Sequence, residues 1–263
     1  MRINNNITAI NSHRQYTINN SSIGKNVEKL SSGFRVNRAG DDAAGLAISE
    51  KMRTQIRGLN MASKNSQDGI SLVQTAEGAM QTAHNIMQRM RELAVQARNG
   101  TNDDTVDRNA LNLEFSQLNV EISQIESTIK FNDMQVFGQT FTLQTGANRD
   151  DTTQFTISGL SAPGGDISTE GSAATQISRM TTFINALSTN RAMLGAIQNR
   201  LEFKIQNLDN SAENLAAAES RIRDVDMAKM MTDFTKNNIL FQASTAMLAQ
   251  ANSIPQGVLQ LLG

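Results

Sequence analysis

Apolar and small residues recur in alternating steps of four and three from Ile48 to Ala97, and the spacing predicts one long helix. Its seam runs through Met52, Leu59, Ala62, Val73, Met80, Met87, Met90 and Ala94, with Gln55, Ser66 and Gly69 as interruptions. A second row, Leu72, Ala79, Ile86 and Leu93, repeats every seven residues on an adjacent face. Two rows on one helix imply more than one partner helix. A helix of about 50 residues, at roughly 1.5 Å each, makes a rod of about 75 Å. Asp41 and Asp42 are placed to cap its start, and Asn99-Gly100 to stop it.

The same alternation predicts a helix from about Asp104 to Lys130, on Leu111, Phe115, Leu118, Ile122, Ile125 and Ile129. A third begins near Ala173 and carries Ile177, Met180, Ile184, Leu187, Leu194, Leu201, Leu208 and Ala212. Arg191 and Gln198 fall on that seam, where polar residues fix register at a cost in stability. Three compatible seams make a bundle. Between the second and third helices the period changes to two. Gln139–Thr145 and Gln154–Ser158 alternate around Gly146-Ala-Asn-Arg-Asp-Asp, the pattern of a β-hairpin within residues 134–171. Ser161–Ser172, with Pro163-Gly164-Gly165, reads as loop.

The extremities are more dilute. Residues 3–33 hold Ile3, Ile7, Ile10, Ile18 and Leu30 at helical spacing among Asn and Ser. Residues 223–263 hold Met231, Phe234, Phe241, Leu248, Val258, Leu259, Leu261 and Leu262. Neither carries enough apolar surface to fold alone, so each is expected to stay loose in the isolated chain and to order on docking. The fold expected is mainly α: an elongated antiparallel helical bundle or coiled coil of N- and C-terminal helices with a small β-hairpin region. Residues 1–33 and 223–263 form its terminal-helix domain, 34–46 a linking spoke, and 47–222 a rod.

Charge and composition narrow the function. Lys+Arg number 24 against 25 Asp+Glu, a net charge of −1, which gives no electrostatic case for nucleic acid or an anionic membrane. Cys is absent, which excludes disulfides, thiolate metal sites and Cys nucleophiles. The first residues show no secretory h-region, so export, if it occurs, is expected to use no cleaved leader. His13 and His84 stand far apart without metal-ligand spacing, and Asp41-Asp42 and Asp103-Asp104 read as helix caps rather than calcium ligands. No nucleophile–base pair and no Gly-rich phosphate cradle occurs. An enzyme is not expected, nor a cofactor or metal.

Several blocks resemble the bacterial flagellins. Lys29-Leu-Ser-Ser-Gly-Phe-Arg-Val-Asn, Asp41-Asp-Ala-Ala-Gly-Leu-Ala-Ile and Ala62-Ser-Lys-Asn-Ser-Gln-Asp-Gly-Ile-Ser match the N-terminal part of that family. Gln88-Arg-Met-Arg-Glu-Leu-Ala-Val-Gln follows them, and Leu194-Gly-Ala-Ile-Gln-Asn-Arg-Leu opens the C-terminal part. Glu219-Ser-Arg-Ile-Arg-Asp-Val-Asp-Met-Ala and Met247-Leu-Ala-Gln-Ala-Asn-Ser-Ile-Pro close it. The resemblance implies a secreted structural subunit that polymerises with itself into the extracellular flagellar filament for motility, exported unfolded by a type III apparatus. It implies as partners an export chaperone, a distal capping protein and hook-junction proteins. A short form without the large variable outer domains is implied as well, because only residues 131–172 stand where many relatives carry an insertion.

Assembly through the terminal helices would use Ile3, Ile7, Ile10, Phe234, Phe241, Leu248, Val258, Leu259 and Leu262. A surface read by the host Toll-like receptor for flagellin would fall on Arg89, Leu93, Gln96 and Glu114, and Arg89 fits an intersubunit ion pair equally. A hook–filament junction protein is the alternative function.

Overall fold

A computed structural model describes residues 6–103 and 105–262, with side chains as far as residue 254. The chain is helical apart from two short hairpins: α1 (Ile7–Ser32), α2 (Ala43–Ala97), α3 (Asp107–Thr128), β1 (Lys130–Phe131), β2 (Met134–Gln135), β3 (Gln139–Gln144), β4 (Thr152–Ile157), α4 (Glu170–Arg223) and α5 (Met227–Leu262). It divides into two compact units, Met1–Thr54 with Asn214–Gly263, and Gln55–Glu213. The division falls inside α2 and α4, which both continue through it without a break.

Unit Gln55–Glu213 holds the core. From α2 it takes Val73, Ala76, Met80, Ala83, Met87, Met90 and Ala94, from α3 Phe115 and Ile122, and from α4 Met180, Leu187 and Leu194. On α4 the fully inward positions are Ala173, Met180, Leu187, Leu194, Leu201 and Leu208, one every seven residues. Arg191 keeps its guanidinium at the edge, 3.4 Å from Glu77, and Gln198 donates to Glu202 at 3.0 Å. Burial along the α2 seam begins at Ala62, while Ile48 stays 47% exposed.

Helix ends are closed by side chains. Asp42 caps α2 by accepting from the Gly45 N–H at 2.8 Å. Asp41 does not cap that helix; its carboxylate accepts from the Asn37 and Arg38 N–H groups and ties the preceding loop. At the other end of α2, the buried Arg108 donates to the carbonyls of Ala97 and Asn99 at 2.7 and 3.0 Å, placing a cation on the negative end of the helix. Asp103 accepts from the Thr105 hydroxyl and N–H, while Asp104, the other half of the expected cap, lies outside the described residues. Thr169 and Ser172 exchange bonds to close the start of α4, three residues ahead of the expected Ala173.

The expected hairpin is β3 with β4, antiparallel and in register from Gln139↔Ile157 to Gln144↔Thr152. Its period of two turns Thr153, Phe155 and Ile157 inward. Asn65 of α2 donates to the Gln144 carbonyl at 3.1 Å, and an added Cβ on Gly69 would fall 2.2 Å from Leu143. The β1–β2 hairpin was not expected. It turns on Asn132 and Asp133 at φ 49° and 63°, a left-handed pair these two residue types tolerate. The following loop is held down by α3: Asn119 accepts from the Gly164 N–H and Asn112 from the Ile167 N–H.

In the other unit α1 and α5 form an antiparallel pair. Asn6 caps α1, and Gly33 at φ 73° ends it with its N–H on the Lys29 carbonyl. Beyond this stop the backbone bridges Phe34 to Asp224, Val225 donates to the Gly33 carbonyl, and the Arg223 guanidinium lies 4.8 Å over the Phe34 ring.

Candidate assembly surfaces

The α1–α5 pair has an unusual interior. No residue of α1 is buried, and the half-buried row Ala9, Ser12, Tyr16, Asn19, Ile23, Asn26 and Leu30 mixes small, polar, aromatic and aliphatic groups. Asn19 donates to the Leu240 carbonyl and the Ser244 hydroxyl at 3.3 and 2.8 Å; Asn6 donates to the Ala251 carbonyl at 2.7 Å. Tyr16 stacks on Phe241 with ring centroids 4.9 Å apart. These amide and ring contacts join the two helices along their length.

Other large apolar residues stay exposed. Ile7, Ile10 and Ile18 are 56, 61 and 50% exposed on α1, and Ile239 and Met247 are 61 and 64% exposed on α5. Phe234, Phe241 and Leu248 are half-buried. Of the expected assembly residues, Ile3 lies outside the described residues, as do the side chains of Val258, Leu259 and Leu262.

A second surface lies on unit Gln55–Glu213, where Arg89 and Glu114 meet. The Arg89 Nε donates to Glu114 at 2.9 Å, and a second guanidinium nitrogen sits 3.3 Å from Glu92. These hydrogen bonds, the one to Glu114 first, raise the Arg89 pKa above its ordinary value. Gln96 is exposed on the same helix. Leu93 is not part of this surface: it is fully buried in the core cluster, where the row Leu72–Ala79–Ile86–Leu93 faces a partner helix. The seven-residue row in the sequence carried that signal.

Sequence patterning missed two exposed apolar features of this unit. Val106, Leu113 and Val120 are 67, 69 and 48% exposed at and along α3, and Phe203 is 70% exposed on α4. The first could have been found as a heptad row opposite the Leu111–Phe115–Leu118 seam. Among the described residues no three His, Cys, Asp or Glu side chains are grouped to hold a metal, and no helix is long and apolar enough to cross a membrane.

Comparison with known proteins bears on what these faces do. Residues 3–142 match the model of the bacterial flagellin N-terminal helical region, and residues 177–262 that of the C-terminal helical region. A flagellin of Halalkalibacterium halodurans is 56% identical over 272 residues, with all of both chains covered. A flagellin of Bacillus subtilis is 50% identical over 303 residues, again with all of both chains covered. A flagellar filament 33 kDa core protein of Treponema phagedenis is 47% identical over 286 residues and the full length of each. The crystal structure of Bacillus cereus flagellin superposes with a TM-score of 0.52 at 30% identity, covering 59% of this chain and 94% of that one.

Proposed function

From the premise that this chain belongs to the bacterial flagellin family, we propose that it is a structural subunit that polymerises into the flagellar filament. The observation that carries this reading is the large apolar residues that the α1–α5 pair leaves exposed. An amphipathic helix pair that turns Ile7, Ile10, Ile18, Ile239 and Met247 outward gains by covering them. Identical neighbours offer the same faces, and many modest repeated contacts give a polymer high avidity. The contacts must join different patches on successive copies so that the series stays open.

In this reading the protein acts outside the cell as part of the flagellum, delivered unfolded by the type III flagellar apparatus. Its transient partners are an export chaperone, the distal cap and the hook-junction proteins. For the host Toll-like receptor, Arg89, Gln96 and Glu114 are the groups available for contact, and Leu93 shapes the surface from beneath.

The test is seeded growth. Purified chain is mixed with sonicated filament fragments and followed by light scattering and electron microscopy. Long tubes are the expected product, and a chain lacking residues 223–263 stays unincorporated. Elongation by the truncated chain at the full-length rate would overturn the role of the terminal helices.

A further inference from the structure

We propose that Asn99 is a site of spontaneous modification, at which the fold itself promotes loss of the side-chain amide and conversion to isoaspartate. The site lies in the turn between α2 and α3, within unit Gln55–Glu213, and needs no neighbouring copy.

The chain holds one Asn-Gly step, Asn99-Gly100, and both residues are exposed. Ring closure at an Asn needs the next backbone nitrogen free to lose its proton and to reach the side-chain carbonyl carbon. Gly suits this, because no Cβ stands in the way. The Gly100 N–H makes no hydrogen bond among the described residues. By contrast Asn11, Asn20, Asn65, Asn210 and Asn252, each followed by Ser, lie inside helices that engage the following N–H.

Three donors surround the reacting peptide. The Asn99 main-chain carbonyl accepts from the Arg108 guanidinium at 3.0 Å and from the Asn102 N–H at 3.2 Å. That carbonyl shares its peptide unit with the Gly100 nitrogen. When the nitrogen gives its proton to hydroxide, negative charge spreads onto the oxygen, where a buried cation and an amide are already aimed. The Asn99 side-chain oxygen accepts from the Thr101 N–H at 3.4 Å, which turns the side-chain carbonyl over the following backbone and polarises it.

Attack forms a bond from the Gly100 nitrogen to the Asn99 Cγ, and the π pair moves to Oδ1 beside the Thr101 N–H. Collapse breaks the bond from Cγ to Nδ2, and that nitrogen takes a proton from water and leaves as ammonia. A cyclic imide remains, and water opens it at either carbonyl. The carbonyl bonded to Arg108 and Asn102 is the more electrophilic, so water adds there and its bond to the Gly100 nitrogen breaks. The product is isoaspartate, its main chain routed through Cγ and its free α-carboxylate set against Arg108. One water is consumed, one ammonia is released, and each event adds a negative charge.

The full chain is incubated in mildly alkaline buffer, folded or in guanidinium chloride, then digested at mildly acidic pH for peptide mass spectrometry. Denatured chain keeps the Asn-Gly step but loses the donors, so it sets the rate due to sequence alone. Folded chain is expected to convert Asn99 about tenfold faster than denatured chain. A larger share of isoaspartate, counted by isoaspartyl methyltransferase labelling, is expected with it, while the five Asn-Ser steps stay intact. Gly100→Ala, whose Cβ meets open space, keeps the fold and crowds the nucleophile, so conversion slows. Arg108→Met, where circular dichroism shows it folded, falls to the denatured rate; the comparison of folded with denatured parent needs no substitution. Equal or slower conversion in the folded parent, or an isoaspartate share unchanged by folding, overturns the proposal. A folded Arg108→Met chain that reacts at the parent rate overturns it too.

Discussion

Arg89 on α2 and Glu114 on α3 are joined within one chain, Nε to carboxylate at 2.9 Å, so neither residue needs a neighbouring copy for its partner. Both side chains are about half exposed, 49 and 45%, and solvent screens their attraction. Replacing Arg89 with Ala or Glu114 with Gln is therefore expected to leave the thermal midpoint essentially unmoved. A drop of several degrees in differential scanning calorimetry would show that the pair holds α3 in place.

Leu93 behaves in the opposite way. Its side chain is fully enclosed among the core residues. Leu93→Ala should destabilise by about 2–5 kcal/mol, and Leu93→Met by less than about 1.5 kcal/mol. Leu93→Asp places a carboxylate where no partner waits, and loss of helicity rather than a selective assembly defect is expected. Urea titration followed by circular dichroism separates these outcomes, and a normally folded Leu93→Asp chain would contradict the burial.

Gly58 marks a close approach. A Cβ there would meet Ala147 Cβ at 2.9 Å and its Cα at 3.2 Å, backbone that a rotamer change does not move. Gly58→Val should cost roughly 1–3 kcal/mol by overpacking, visible as earlier urea unfolding. Equal or greater stability than the parent would mean that the hairpin turn gives way freely.

Acid should loosen the loop before α2. The N–H groups of Arg38 and Asn37 donate to Asp41 and lower its pKa below the ordinary 3.8; the Thr105 hydroxyl and N–H do the same for Asp103. A carboxylate with a depressed folded pKa contributes stability in full above its unfolded value, and loses it as pH falls through the folded one. Both contributions are therefore present at neutral pH and fade below about pH 3.8. Carboxyl-carbon NMR titration should give midpoints under that value for both residues, and Asp41→Asn should remove its share of the pH dependence.

Much of this architecture was legible before the structure because the helices repeat. Met80, Met87, Leu187, Leu194 and Leu201 are inward where their spacing put them, and the period-two runs around Gly146 are the two longer strands. What escaped was set by partners distant in sequence. Asn6 and Asn19 hold the seam between α1 and α5 because their amides reach carbonyls over 200 residues away. Leu93 was carried over from a resemblance as a surface group against the burial its own seven-residue row implied. Asp41 and Asp42 are alike in composition, and only the path of the loop decides which one caps the helix.

The inward row of α4 has a geometric corollary. A straight α-helix drifts about 20° per heptad from a seven-residue repeat, roughly 100° over the five heptads between Ala173 and Leu208. Keeping every one of those side chains on the same partners requires α4 to wind left-handed around them. Bending and winding are then coupled in this helix, so that a force curving it also twists it.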